Sequence, residues 1–207
     1  MTTKTAAITT GALTVIAMAA LTVAPAHAAS VCDDKVHLLT TGTSTAFETN
    51  GRWVLVGGDR AAYDYLTSRG VKKLDAYVAP SANPDVISAA PGIVAGFKPD
   101  AVWTPAYDEL RAGGRTAGAD DAYRRLSDAA LAANRSYGAK TVTGADSGTQ
   151  FTVGDIQFTL YRSTDATPDT VGGGGYVVKA ESHGGSVLLT GDMQASDGIG
   201  VADSDSG

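Results

Sequence analysis

A single cysteine, Cys32, stands in 207 residues, so the chain has no internal disulfide and no cysteine-rich zinc motif. Two readings of its thiol stay open: pairing with another chain, or a free group near the start of the mature protein. Histidine is nearly as scarce, with three copies, His27, His37 and His183. Basic residues are in deficit, 16 against 22 acidic, for a net charge of −6. That balance argues against a nucleic-acid groove and against adhesion to anionic lipid, and it favours solubility. No glycine-rich loop cradles phosphate: Gly172 to Gly175 follows no strand signal, opens no helix and lacks the lysine.

What is present begins with an address. Lys4 precedes an apolar, uncharged run from Ala6 to Val23, Pro25 breaks it, and Ala26-His27-Ala28 supplies small residues at a cleavage point. This is the pattern of a secretory signal peptide over 1–28. A membrane helix is the competing reading, since the run approaches spanning length. The polar stretch after the Ala-x-Ala site favours cleavage and secretion, with no membrane contact afterwards. Lys4 is the only charged residue removed, so the mature chain has 179 residues and a net charge of −7. That length suits one domain with a real core. Residues 29–35 read as a flexible mature N-terminus. Residues 194–207, rich in Gly, Ser and Asp, read as a disordered tail.

Between them the hydrophobic pattern alternates strand and helix. Val36 to Leu39 reads as a strand. Thr43 to Thr49 and Arg52 to Val56 read as a hairpin around Asn50-Gly51, because both central residues of a tight primed turn need positive φ. Asp59 is placed to cap a helix over Arg60 to Arg69, with Gly70 as its stop. Leu74 to Ala79 follows as a strand, then a polar loop. A helix over Ile87 to Phe97 is entered near Pro91-Gly92, and a strand ends at Pro105. Asp120 to Tyr137 has the clearest helical period, through Tyr123, Leu126, Ala130 and Ala133. Five β segments close the pattern, at Lys140 to Thr143, Gln150 to Val153, Ile156 to Tyr161, Gly175 to Ala180 and Ser186 to Thr190. Gly154-Asp155 and His183-Gly184-Gly185 read as their turns.

Several phrases in this order resemble the metallo-β-lactamase fold, and in particular the branch found as the C-terminal domain of DNA-uptake channel (competence) proteins and their free-standing relatives. They are Val36-His37-Leu38-Leu39, Val54-Leu55-Val56-Gly57-Gly58, Gly70-Val71-Lys72-Lys73-Leu74-Asp75, Ala90-Pro91-Gly92-Ile93, Phe97 to Trp103, and Ser186 to Met193 ending in Leu-Thr-Gly-Asp. The resemblance covers 36–193. It implies an α/β fold, an αββα sandwich of two mixed β-sheets with outer helices, here without the last strand and helix of its relatives.

The resemblance also implies a metal-dependent hydrolase in which zinc activates water. With Ile87 and Pro91 as anchors, the family's metal loop falls on Ser81-Ala82-Asn83-Pro84-Asp85-Val86. Its three histidine positions become Ser81, Asn83 and Val86, and only Asp85 keeps its family identity. Gly57 stands where a carboxylate is expected, and Asp192 matches the ligand that often bridges two metals. A hydroxyl and an amide are poor zinc ligands, and an alkyl group is none. Zinc is therefore not expected as a cofactor, nor any catalytic residue.

Each survivor also has a plain reading. Asp85 would be a helix N-cap or a loop acceptor before Ile87 to Phe97, Asp192 would cap a strand-end turn, His37 would be a packed or half-exposed strand residue, and His183 an exposed turn residue. The expectation is an exported protein with a degenerate metal site and a binding or structural role. Two rivals stand beside it. In one, Asp85, Asp192, Asn83 and Ser81 hold a hard ion such as Mg²⁺ or Ca²⁺ for an altered hydrolase. In the other, the chain is a decaying copy with an exposed sheet edge.

Overall fold

The computed structural model describes residues 34–39, 43–106, 117–162 and 175–191. Strand β1 (Asp34–Leu38) pairs antiparallel with β2 (Thr45–Thr49), which pairs antiparallel with β3 (Arg52–Val56). The β2–β3 turn is Asn50-Gly51 with φ of 48° and 75°, the positive pair that the hairpin motif demands. Asp34 and Lys35, expected in the flexible N-terminus, already pair with Thr49 and Glu48.

From β3 onward the sheet is parallel and grows in chain order through β4 (Ala76–Val78), β5 (Ala101–Thr104) and β6 (Lys140–Thr143). Each crossover carries helix: α1 (Arg60–Ser68), then α2 (Pro84–Ile87) with α3 (Ala90–Phe97), then α4 (Ala117–Tyr137). Parallel crossovers share one hand, so a sheet that grows steadily in one direction collects its helices on one face. The single helix expected over 87–97 is two. Pro84 and Pro91 each sit in a first helical turn, where a missing N–H costs nothing, and each starts a helix of its own.

A second sheet, in the order β10-β9-β8-β7, contains β7 (Thr149–Val153), β8 (Ile156–Arg162), β9 (Tyr176–Ser182) and β10 (Gly185–Leu189). The α/β sandwich of two sheets with outer helices is therefore present. Its four-stranded sheet is antiparallel throughout rather than mixed, because two-residue turns join β7 to β8 and β9 to β10. Among the described residues, the helices cover only the six-stranded sheet, and none is long and apolar enough to cross a membrane.

Two cores follow from the period of two along the strands. On the helix side, Leu55, Tyr77 and Val102 pack with Leu66, Ile93, Phe97 and Leu126. Between the sheets, Phe47, Val54, Val78 and Trp103 meet Phe158, Leu160, Tyr176 and Val178. Because both faces of β3 are covered, Trp53-Val54-Leu55-Val56 is continuously apolar. Two ring contacts cross the gap, Trp103 on Phe151 at 4.8 Å and Phe158 edge-on to Phe47 at 5.2 Å, and the cross-strand pair Phe151 and Phe158, stacked at 4.9 Å, links them within the second sheet.

Among the described residues, a few buried side-chain atoms break the rule that buried polar groups are satisfied, the Tyr77 hydroxyl among them. Tyr77 is fully buried on the helix side of β4, and its hydroxyl has no hydrogen-bond partner. Burial pushes its pKa well above the usual value of 10.0. Above pH 10 or so an unfolded tyrosine ionises while Tyr77 stays neutral. The unfolded state then binds fewer protons, and stability falls as pH rises. We expect Tyr77→Phe to be neutral or to stabilise by up to about 1 kcal/mol at pH 7, since it removes an unsatisfied hydroxyl. The variant should also lose less stability than wild type between pH 9 and 11, read by urea unfolding at each pH on the order of one unit apart. A loss of more than about 1 kcal/mol at pH 7 would mean that the hydroxyl is satisfied in solution.

Candidate functional site

The parallel strands β3, β4 and β5 end at one rim of the sandwich, where α/β sheets usually hold ligands. Three loops meet there. After β3 the chain turns at Gly57, with φ +83°, and its N–H donates to the Val78 carbonyl at 3.0 Å. A Cβ at this position would lie 2.4 Å from the Thr43 carbonyl oxygen and 2.8 Å from Ser44 Oγ. No side chain fits, so the family's carboxylate has no room here. Gly58 follows between two loops: its N–H donates to Val86 O at 2.6 Å and its carbonyl accepts from Ala89 N at 2.8 Å.

Asp59 is the buried carboxylate of the rim, and its oxygens are committed. Oδ1 accepts from the Ala62 N–H at 2.8 Å, which caps α1, and Oδ2 accepts from Thr43 Oγ1 at 2.6 Å. It acts as the cap that the sequence placed there and ties the 43–44 loop to the helix.

The loop after β4 carries the positions read as a former metal site. Ser81 is buried, 2 % exposed, and its Oγ accepts from Asn83 N at 3.3 Å. Asn83 is the N-cap of α2: its Oδ1 accepts from Asp85 N at 3.0 Å and its carbonyl from Ile87 N at 3.1 Å. Asp85 does not cap this helix, as the sequence reading had it; it is exposed in the first turn. The signal was the Asn-Pro pair, a cap followed by proline at the first helical position. Val86 is buried in the helix-side core. Asp192 and Cys32 lie outside the described residues, as do the leader over 1–28 and the tail over 194–207.

The histidines are elsewhere. His37 points to the helix side of β1. It stacks on Trp53 at 5.4 Å, lies 5.6 Å from Tyr65, and places Nε2 3.2 Å from Glu48 Oε2. That is the packed strand residue expected. His183 is exposed in the β9–β10 turn. No group of three or more His, Cys, Asp or Glu among the described residues could hold a metal ion. A hydroxyl turned to a backbone N–H, an amide used as a cap, an exposed carboxylate and an alkyl side chain do not fit a zinc centre.

What the rim does contain is a cleft of about 390 Å³, lined by Leu38, Thr43, Thr45, Val86, Leu189 and Thr190 among others, with no ionisable side chain among the described lining. Sequence reading missed these threonines, because the cleft joins the first and last described strands. Behind it, Tyr176 locks the sheets together. Its hydroxyl accepts from Ala145 N at 2.7 Å and donates to Thr104 O at 3.0 Å, while its N–H donates to Pro80 O at 2.7 Å. Burial raises its pKa, and the Ala145 N–H partly offsets that.

No protein-family model and no curated protein matches this chain. Among solved structures it is similar to the metallo-β-lactamase fold protein YhfI from Bacillus subtilis, at 15% identity over 74% of this chain and 56% of that one, TM-score 0.48. It is also similar to Zn²⁺-bound PqqB from Methylobacterium extorquens, at 14% identity over 70% and 47%, TM-score 0.46. A third is BJP-1, a subclass B3 metallo-β-lactamase of Bradyrhizobium japonicum, at 12% identity over 70% and 53%, TM-score 0.45. The chain spans about half the length of these proteins. Its own strand order and register define the fold described above.

The crowding at Gly57 gives a direct test. Gly57→Asp restores a carboxylate in name but forces a side chain into the Thr43 carbonyl at positive φ. We expect it to cost more than about 2 kcal/mol in urea unfolding. A variant as stable as wild type would show that the rim can open to admit a ligand there.

Proposed function

We propose that this chain is an exported, non-catalytic relative of the metallo-β-lactamase-fold hydrolases, in which the sandwich serves as a binding scaffold. The observation that carries the reading is the use to which the ligand positions are put. Gly57 is packed against Thr43 and Ser44 with no space for a Cβ. Ser81 and Asn83 hold backbone N–H groups, and Val86 fills core. Hydrolysis by this fold needs a metal-bound water or a substitute base beside the scissile bond. The rim cleft offers threonine hydroxyls and alkyl groups, and the carboxylate of Asp59 beneath it already accepts two hydrogen bonds. Such a surface can bind a neutral or apolar group but has nothing to activate water. The likeness of several phrases to the DNA-uptake channel branch belongs to the same proposal, as does secretion after removal of 1–28.

The test is metal content and turnover of the mature protein, expressed in zinc-supplemented medium without chelators. We expect far less than one equivalent of zinc, and no hydrolysis of phosphodiester, ester or β-lactam substrates above the protein-free rate. Titration with Mg²⁺ or Ca²⁺ should give the same small response in wild type and in the Asp85→Ala, Asp192→Ala double variant. Stoichiometric zinc with turnover would overturn the proposal. So would hard-ion binding abolished in the double variant, which would restore the altered-hydrolase reading.

A further inference from the structure

The two long sides of the sandwich are finished differently. On the β6–β7 side the gap between the sheets is filled by the Trp103–Phe151–Phe158 ring stack, with Lys140 Nζ 5.5 Å from the Trp103 ring. On the opposite side lie β1 and β10, the outermost strands of their sheets, with no further described strand beyond either. Two hollows open along this seam. One, of about 360 Å³, involves the starts of both strands and includes Asp34, Val36, Phe47, Glu181 and Val187. The other is the rim cleft of about 390 Å³ at their ends, with Leu38 and Leu189. The two edges therefore run side by side in the same direction, about 17 Å long for five residues.

Register fixes which side chains face the gap. Val36 pairs with Phe47 and Val187 with Ala180, and both partners belong to the inter-sheet core. By alternation, Asp34, Val36 and Leu38 of β1 and Val187 and Leu189 of β10 line the seam. Val36 is 43 % exposed and Leu38 is 75 % exposed, although both point toward the sandwich interior. Strand β10, Gly-Ser-Val-Leu-Leu, has no charge and no proline, the two devices that usually blunt an edge. At the other end, both carboxylate oxygens of Asp34 are buried, with no hydrogen-bond partner among the described residues. The neighbouring Glu181 is instead paired with Lys179 at 2.9 Å. A buried, unpaired carboxylate is costly unless a cation meets it.

We propose that the β1–β10 seam is a docking groove for an extended polypeptide segment. The segment is apolar at alternate positions and carries a lysine or arginine at the end that meets Asp34. The edge that no described strand pairs selects a strand, the two hollows take every second side chain, and the Asp34 carboxylate selects a basic end over an acidic one. The inference gives the binding scaffold a partner class but does not depend on lost catalysis. Zinc binding and peptide binding are measured separately and can fail separately.

The test uses the full mature chain and two acetylated, amidated peptides, Lys-Val-Thr-Val-Thr-Val and its counterpart with glutamate in place of the lysine. Binding is read from backbone amide shifts of β1 and β10 during titration. We expect saturable shifts with the lysine peptide and at least about tenfold weaker binding of the glutamate peptide, equivalent to loss of one favourable charge contact. Asp34→Asn should erase that preference. Leu38→Lys, at a position that is already 75 % exposed and so tolerant of change, should abolish binding while the thermal transition is kept.

The proposal is overturned if neither peptide gives saturable shifts, or if both bind alike. It is also overturned if the protein alone forms a dimer that Leu38→Lys dissolves, since a second copy would then own the seam. Finally, it falls if Leu38→Lys alone shifts the resonances of 192–207, since the chain's own tail would then fill the groove.

Discussion

The fold turns on a close approach of backbones at the end of β3. Gly57 and Gly58 let three loops come within hydrogen-bond distance of one another with no side chain between them. The N–H of Gly57 reaches Val78 O, and Gly58 bridges Val86 O and Ala89 N. A Cβ on Gly58 would sit 2.8 Å from the Tyr77 hydroxyl. The next residue, Asp59, starts α1 and holds Thr43. The contacts satisfy polar groups left at the end of β4, around α2 and in the first turn of α1. The result is a rim built to be packed. Side chains that could reach a ligand there are threonines and aliphatic groups, Thr43, Thr45 and Thr190 with Leu38, Val86 and Leu189.

Much of this was legible in the residues, and the legible parts share a cause. Asn50-Gly51, Asp59 and Gly70 act locally: one turn or one cap depends on one or two residues with special backbone or hydrogen-bonding needs. The alternation of strands and helices was readable for the same reason. Asn83 was passed over because Asn and Asp both cap helices, and two candidates stood two residues apart. The geometry chose the one whose successor is proline. The split at Ser88-Ala89 is equally local, since each helix begins with proline in its first turn.

What was not legible is what depends on distance along the chain. Val36, Leu38 and Asp34 look like the start of an ordinary strand. Only pairing with β2 shows that they face the second sheet, and only the end of the β-rich half brings β10 beside them. The threonines of the rim cleft come from positions 43, 45 and 190, and no spacing rule connects them. The antiparallel character of the second sheet follows from hairpins that can be read. Which face of it is covered follows from packing, which cannot be read from one segment.

The residues of the loop after β4 have a physical logic of their own. Histidines and carboxylates clustered at one loop are tolerable when a cation sits among them. Without the cation, like charges close together disfavour each other's charged form and oppose folding. A chain that holds no ion there is more stable with neutral groups that serve the backbone directly. Ser81 accepts from the Asn83 N–H, Asn83 caps α2, and Val86 joins the helix-side core. Asp85 carries its charge in the first turn of α2, where the helix dipole favours an anion. Ser81, Asn83, Asp85 and Val86 together stabilise the loop after β4 and the turn into α2.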